Sequence, residues 1–241
     1  LQGVGLLTYV NCISLLFVLS SKRYVNLKKG VFMSKIISNV RLSKDFYLMK
    51  VEEKNNSKMG QFYMLRAWDE YPVLSRPISI YDADESSVSF LYKVVGKGTE
   101  IFSRLKAGDE ISLEGPLGTG FPSAKGKIAL VGGGVGIAPF YLAAKELRKV
   151  NRDSIIDIYL GFSDVAILKE EFEVLADKLV INVGGFITDD VNTEDYDIIM
   201  SCGPEIMMKT LYKKCEKQRT EDRLYVSMEN RMACGIGACL V

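Results

Sequence analysis

A glycine-rich turn, VGGGVGIAPF at residues 131–140, is the stretch of this sequence best suited to binding a phosphate. Without side chains, backbone N–H groups can approach an anion closely, and a helix that starts there adds partial positive charge. The apolar run KIALV precedes the turn, and Pro139 falls where a first helical turn would lie. Taken alone, the turn could equally be one that needs glycine for positive φ angles. The candidate residues are Gly132, Gly133, Gly134, Val135 and Gly136.

A second motif, RPIS at residues 76–79, carries an arginine and a serine at the start of an apparent strand. Arg76 could bridge a pyrophosphate, and Ser79 could offer its hydroxyl and amide to a flavin ring. By itself, the motif is better explained by a surface arginine followed by an edge-strand proline. The RPIS motif therefore supports a flavin site only in combination with other motifs along the chain.

A third motif, YKVVGKGTEIF at residues 92–102, contains two glycines that break a strand before a short helix. Thr99 lies near the helix start, so the turn could present amides to an anion. A plain strand, turn and helix with Thr99 as N-cap explains the motif about equally well.

A fourth motif, SCGPE at residues 201–205, follows an apolar strand. Ligands of open α/β sheets bind beyond the carboxyl ends of the strands, where Cys202 and Gly203 would lie. The chain contains no histidine, so Cys202 has no histidine partner to activate it as a nucleophile. We interpret Cys202 as a packing residue beside a nicotinamide.

The composition excludes several classes of protein. Without histidine, a Ser/His/Asp hydrolase, a Cys/His protease and zinc sites that need imidazole are ruled out, whereas chemistry carried by a cofactor is not. A formal net charge of +1 favours neither nucleic acid nor an acidic membrane surface as a partner. The cysteines, odd in number and widely spaced, argue against a disulfide framework and favour the cytoplasm.

The elements that must position these motifs change character along the chain. Six short β-rich runs between residues 35 and 116, with one helix over 99–105, predict a small antiparallel barrel over 33–122. From residue 127, strands alternate with helices, one of them over 167–178, which predicts a doubly wound parallel sheet over 123–228. The fold class is therefore mixed β and α/β.

Residues 1–32 form a weakly hydrophobic leader. Its apolar stretch is interrupted by polar residues and is short for a membrane span, and the basic residues follow it. We expect Met33 to be the natural start and the leader to be extraneous, with a weak membrane anchor as the alternative.

In sequence order, RPIS, YKVVGKGT, EGPLGTGF, GGGVGIAP and CGP resemble the motifs of the ferredoxin reductase-like flavoproteins. In that family an FAD-binding barrel precedes a nicotinamide-binding α/β domain, and the resemblance covers residues 34–241. The tail, YVSMENRMACGIGACLV, narrows it to the electron-transfer subunits of NAD-dependent (class 1B) dihydroorotate dehydrogenases.

The resemblance implies a set of cofactor contacts. For FAD these are Arg76, Pro77, Ile78, Ser79, Tyr92, Lys93, Val94, Val95, Gly98 and Thr99. For NAD they are Gly132, Gly133, Gly134, Val135, Gly136, Cys202, Gly203 and Pro204. Asp164, which could bind ribose hydroxyls, favours NADH over NADPH, because no arginine for a 2′-phosphate stands nearby.

The resemblance also makes residues 229–241 the start of a truncated [2Fe–2S] loop. A plant-type centre uses the spacing C-x4-C-x2-C, in which Cys234 and Cys239 would supply the first step as metal ligands. The third ligand would fall three positions after Cys239. Two unrelated thiols are the alternative.

The function implied is electron transfer between NAD(H) and a partner through FAD and [2Fe–2S], in pyrimidine biosynthesis. The partner would be an FMN-containing dihydroorotate dehydrogenase catalytic subunit, in a heterotetramer. One alternative is the flavoprotein subunit of an NADH-dependent ferredoxin:NADP oxidoreductase or of a sulfide dehydrogenase, although Cys234 stands where those relatives carry aspartate. The other is a non-catalytic flavin-binding module.

Overall fold

A computed structural model of the chain describes residues 33–228 and 232–238, and residues 33–117 form a closed barrel. The barrel strands run in the order β1-β2-β5-β4-β3-β6, and every neighbouring pair is antiparallel. Closure removes the exposed strand edges that an open sheet of this size would leave. The strands are β1 (Met33–Arg41), β2 (Phe46–Glu52), β3 (Phe62–Arg66), β4 (Arg76–Ala83), β5 (Ser87–Lys93) and β6 (Glu110–Leu117).

A five-stranded parallel sheet follows, in the order β11-β10-β7-β8-β9. In β7 the run from Ile128 to Val131 is completely buried, as expected for a parallel strand covered on both faces. The sheet strands are β7 (Lys127–Gly133), β8 (Ile155–Phe162), β9 (Lys178–Val183), β10 (Ile198–Cys202) and β11 (Leu224–Ser227). The helices with this sheet are α2 (Ala138–Val150), α3 (Lys169–Glu173) and α4 (Glu205–Gln218). The antiparallel barrel followed by a parallel α/β sheet confirms the predicted fold class.

The barrel and the α/β lobe, residues 127–227, meet where helix α2 packs on β4. Tyr81 of β4 stacks on Tyr141 of α2, with ring centroids 4.5 Å apart, and Phe172 packs edge-on against both rings. Beside this aromatic cluster, the Lys145 ammonium pairs with the Asp82 carboxylate. The seam therefore joins the lobes by apolar burial and by an ion pair.

Two helices differ from their predicted extents. The barrel helix, α1, spans Lys97–Phe102 and so starts earlier and ends earlier than 99–105. Helix α3 is confined to Lys169–Glu173, much shorter than the predicted 167–178. At its start, Leu168 takes a left-handed conformation with φ of 58°, and beyond its end strand β9 already begins at Lys178. After the helix, the Asp177 amide donates to the Ile156 carbonyl and aligns the chain with β8. The apolar residues over 167–178 are therefore spaced for burial against the sheet, and only part of this stretch is helical.

The expected leader, residues 1–32, lies outside the described residues. Within the described ranges, no helix is long and apolar enough to cross a membrane.

Candidate functional site

The strand order of the α/β sheet reverses at β7, which has β8 on one side and β10 on the other. At such a switch point the loops after neighbouring strands part, and a crevice forms beyond their carboxyl ends. The glycine-rich turn after β7 and the Cys-Gly-Pro turn after β10 both lie at this edge, since Gly132 and Cys202 are register partners. The structure thus brings together the two motifs proposed for NAD.

These two turns touch through their backbones. A Cβ placed on Gly136 would lie 2.5 Å from both the Cys202 carbonyl oxygen and the Gly203 Cα. A Cβ on Gly203, whose φ is +151°, would lie 2.9 Å from the Gly133 nitrogen. Since neither backbone can yield without moving a strand, glycine is required here for close approach.

Open space lies beside Gly134 of the glycine-rich turn. Gly134 has a φ of +56°, and a Cβ added there would meet nothing within 4 Å. The turn continues as a 3-10 helix, Gly134–Ile137, which contacts barrel strand β5, and α2 follows with a proline in its first turn. The predicted strand, turn and helix are therefore present, with free space beside Gly134.

Cys202 is fully buried in the core cluster that underlies this crevice. That burial matches a packing role and leaves its thiol without access to solvent. Asp164 follows β8 at the same edge of the sheet, and its carboxylate accepts a hydrogen bond from the Ser163 hydroxyl at 3.1 Å.

In the barrel, the RPIS and GKGT motifs meet at Arg76 and Gly98. A Cβ on Gly98 would lie 2.7 Å from the Arg76 Nε and 2.8 Å from the Trp68 Cη2. The Arg76 Nη1 donates to the Leu74 carbonyl oxygen at 2.6 Å, and the guanidinium carbon lies 5.5 Å from the Trp68 ring centroid. Gly98 therefore makes room for an arginine held between helix α1 and an indole ring.

Thr99 stabilises the turn before α1, although not as the N-cap residue. Gly96 occupies the N-cap, and Thr99 is the third residue of the helix. The Thr99 hydroxyl oxygen accepts hydrogen bonds from the Val95 and Gly96 amides at 3.0 and 3.2 Å. A Cβ on Gly96 would meet nothing within 4 Å, so free space lies beside this turn as it does beside Gly134.

The remaining flavin-motif residues lie on β4, β5 and the turn after β5. Ser79 pairs with Phe62 and Pro77 pairs with Met64 across the β3–β4 ladder. Tyr92 is only 1% exposed, and its hydroxyl donates to the Asn39 side chain at 3.0 Å, so only its backbone could serve a ligand. Ile78 is half-buried in β4, Lys93 lies with its ammonium 5.4 Å from the Phe46 ring centroid, Val94 is half-buried and Val95 is exposed.

The segment at 232–238 lies against the barrel. A Cβ on Gly235, which has a φ of +71°, would lie 2.9 Å from the Leu117 Cδ1 and 3.0 Å from the Met64 Cγ. Met64 is the register partner of Pro77, so Cys234 is next to a glycine packed on the strand beside the RPIS motif. Cys239 lies outside the described residues. Within the described ranges, no three or more metal-ligating side chains come together.

Two buried tyrosines of the barrel, Tyr81 and Tyr92, have altered acidity. Burial, and to a smaller extent the proximity of Tyr141, Glu171 and Asp82, raises the pKa of the Tyr81 hydroxyl. That hydroxyl has no hydrogen-bond partner among the described residues. Burial also raises the pKa of Tyr92, against the lowering effect of its bond to Asn39. Both phenols therefore stay protonated at neutral pH and offer no proton-transfer group.

Comparison with known proteins identifies the family. A 224-residue alignment with the "Dihydroorotate dehydrogenase B (NAD(+)), electron transfer subunit" of Clostridium acetobutylicum is 45% identical and covers 89% of each chain. The protein of the same description from Clostridium perfringens is 41% identical over 219 residues, covering 87% of each chain. The chain belongs to this family. It is therefore an oxidoreductase subunit.

Solved structures agree with that assignment. The structure described as the NADH-dependent reduced ferredoxin-NADP oxidoreductase superposes with a TM-score of 0.75 at 28% identity, covering 87% of this chain and 81% of that one. A ferredoxin NADP+ reductase from Neisseria gonorrhoeae superposes with a TM-score of 0.64 at 17% identity, covering 82% and 98%, which shows the shared fold. No family model matches the chain.

Sequence reasoning missed the residues that support the motifs from outside them. Trp68, which packs on both Arg76 and Phe102, belongs to no recognisable motif. The seam residues Tyr81, Tyr141 and Phe172 are spread over 92 positions of sequence and meet only through the packing of two lobes. No spacing in one chain indicates such contacts.

Proposed function

We propose that this electron transfer subunit passes electrons between NAD(H) and an FMN-containing dihydroorotate dehydrogenase catalytic subunit, in pyrimidine biosynthesis. FAD would bind the barrel, NAD(H) would bind the crevice at β7 and β10, and a [2Fe–2S] centre would begin at Cys234 and Cys239. The partner subunit would complete a heterotetramer in the cytoplasm, where reduced cysteines persist.

The observation that carries this proposal is the position of segment 232–238. Gly235 is packed on Met64 and Leu117, and Met64 lies directly across from Pro77 of the flavin motif. A chain that begins a cluster loop at Cys234 would thus begin it beside the flavin strand, although the glycine-rich crevice lies in the other lobe. Electron transfer from FAD to a [2Fe–2S] centre requires that the two lie close together, and a cluster loop that begins at Cys234 would start close to the flavin strand.

The residues of the barrel fit a flavin dinucleotide. Arg76 would offer its guanidinium to the pyrophosphate. The free space beside Gly96 would leave room for part of the FAD molecule. Ser79 would orient the flavin ring through its hydroxyl and amide. When bound, FAD supplies the conversion between two-electron hydride transfer and single-electron transfer.

The residues of the crevice fit a nicotinamide dinucleotide. The open side of Gly134 leaves its backbone accessible to a phosphate, while Gly133, Gly136 and Gly203 let the two turns close the floor of the site. Cys202 and Pro204 would shape the nicotinamide end, and Asp164 would accept hydrogen bonds from ribose hydroxyls. None of these residues has to carry a proton, which agrees with a chain that contains no histidine.

The cluster is supported less completely by the described residues. Cys234 is the only one of the two implied ligands that the structure describes, and no group of three ligands is present in the described ranges. We therefore assign the two cysteines as ligands from the family spacing and derive no geometry for the iron atoms.

Anaerobic reduction of the purified full chain tests the proposal. The protein should take up one FAD, NADH should bleach the flavin, and NADPH should do so more slowly. Protein that cannot take up FAD would contradict the proposal, and a clear preference for NADPH would overturn the role of Asp164. Flavin that binds but is not bleached by either nucleotide would instead indicate a non-catalytic module.

A further inference from the structure

Trp68, the only tryptophan of the chain, lies between two arginines. The Arg66 guanidinium carbon is 5.6 Å from the Trp68 ring centroid, and that of Arg76 is 5.5 Å from it. Phe102 of α1 packs on the same indole at 5.5 Å, and the indole N–H donates to the Pro72 carbonyl. Contacts from the helix and from the 69–75 loop therefore fix the ring that both cations share.

The two arginines differ in how their N–H groups are used. Arg66 donates from Nε to the Trp68 carbonyl at 2.8 Å, from Nη1 to the Val73 carbonyl at 2.7 Å, and from Nη2 to the Asp69 carbonyl. Arg76 donates only from Nη1 within the described residues, to the Leu74 and Ser75 carbonyls. A guanidinium has five N–H donors, so Arg76 keeps most of them for another acceptor.

Neither arginine is neutralised by a carboxylate. No described Asp or Glu oxygen lies within 4.0 Å of either guanidinium; among the described arginines, only Arg104 and Arg148 form ion pairs. Two cations beside one ring, without a countercharge among the described residues, favour an anion as the missing partner. Arg76, with its unused donors, is the one that can contact it.

We propose that Trp68 is a positioning residue for Arg76, holding the guanidinium beside Gly98 so that its unused donors face the pyrophosphate of FAD. The proposal rests on the FAD site proposed above and adds a residue that lies outside the flavin motifs. Arginine side chains lose considerable rotamer freedom when they are ordered, and a ring that orders Arg76 in advance removes that cost from binding. Gly98 contributes by leaving the space that the arginine and the ring occupy.

A double-mutant cycle on the flavin-free full chain tests this role, with the dissociation constant of FAD as the readout. Arg76→Gln should weaken FAD binding about thirtyfold through loss of a charge-assisted contact. Trp68→Leu should weaken it about tenfold through loss of the cation–π contact. The double variant should bind no more weakly than Arg76→Gln alone, because Trp68 acts only through Arg76.

Two control variants separate positioning from general packing. Trp68→Phe keeps an aromatic face and should stay within about threefold of the parent. Arg104→Met removes another cation of the barrel, one that is paired with Glu100, and should also stay within about threefold.

A further variant leaves the tryptophan untouched, so it applies even if Trp68→Leu does not fold. Arg76→Lys keeps the charge but loses the planar group that stacks on indole, and it should bind FAD nearly as weakly as Arg76→Gln. Additive losses in the cycle, about three-hundredfold for the double variant, would overturn the proposal. So would parent-like binding by Trp68→Leu or by Arg76→Lys. A parent chain that binds no FAD would instead refute the proposed function.

Discussion

Gly98 in the barrel and Gly136 in the α/β lobe both lie at close contacts, but their neighbours differ. In the barrel, Gly98 abuts the side chains of Arg76 and Trp68. In the α/β lobe, Gly136 abuts the backbone of Cys202 and Gly203. A side chain can rotate away from an added methyl group, whereas a strand end cannot. The contact at Gly136 is therefore rigid, whereas the contact at Gly98 can adjust to an added methyl group.

Two sets of buried phenols also differ in their hydrogen bonding. In the α/β lobe, the Tyr159 hydroxyl lies 2.7 Å from that of Tyr196, which donates to the Asp157 carboxylate at 2.7 Å. Lys178 donates to Tyr159 at 3.4 Å, so the bonds run from an ammonium to a carboxylate. In the barrel, the Tyr81 hydroxyl has no partner among the described residues. Four substitutions would break or sharpen these contrasts.

The largest effect is expected for Gly136→Ala. An added Cβ would lie 2.5 Å from backbone atoms that it cannot displace, so the protein should lose about 3 kcal/mol of unfolding free energy. Urea unfolding measures this loss. Gly134→Ala is the matched control: it has open space but a φ of +56°, and should lose about 1 kcal/mol. Equal losses at the two positions would refute the rigid contact.

Next in size is Tyr196→Phe. Removing this hydroxyl leaves the Asp157 carboxylate, which is 4% exposed, without its donor, and should cost about 2 kcal/mol. Chemical denaturation is again the measurement. Tyr212→Phe, in the same lobe and with a hydroxyl that bonds to no described residue, should change stability by less than about 0.5 kcal/mol.

A smaller loss of stability is expected for Gly98→Ala. The methyl group can be accommodated by movement of Arg76 and Trp68, so the protein should lose only about 1 kcal/mol of unfolding free energy. FAD affinity should fall more clearly, because the displaced guanidinium is the proposed phosphate ligand. Urea unfolding measures the change in stability, and titration with FAD measures the change in affinity. Gly96→Ala is the control, because an added methyl group there has no close neighbour. If Gly98→Ala lost as much unfolding free energy as Gly136→Ala, the predicted difference between the two contacts would be wrong.

The smallest effect is expected for Tyr81→Phe. Its hydroxyl is buried without a described partner, so removing it should leave stability unchanged or raise it by up to about 1 kcal/mol. Comparison of the unfolding midpoint with that of Tyr196→Phe gives the answer. A loss as large as that of Tyr196→Phe would mean that the Tyr81 hydroxyl is satisfied in solution.

The sequence predicted the order of elements because each barrel run and each strand-helix pair carries its own periodicity. It also predicted the two turns of the crevice, since glycine and proline mark them locally. It did not predict that helix α3 would begin only at Lys169, because leucine rarely adopts the left-handed conformation that Leu168 takes there. Nor could it place Trp68 against Arg76, since their contact depends on how the connection between β3 and β4 folds, and no motif marks that conformation.

The packing of Gly235 on Met64 and Leu117 has a thermodynamic consequence. The α/β lobe is bracketed by chain that belongs to the barrel, with β6 before it and the 232–238 segment after it. Melting that lobe alone would have to stretch or release an attachment at both ends, in addition to opening the aromatic seam. A scanning calorimeter should therefore record a single cooperative heat-absorption peak instead of one for each lobe.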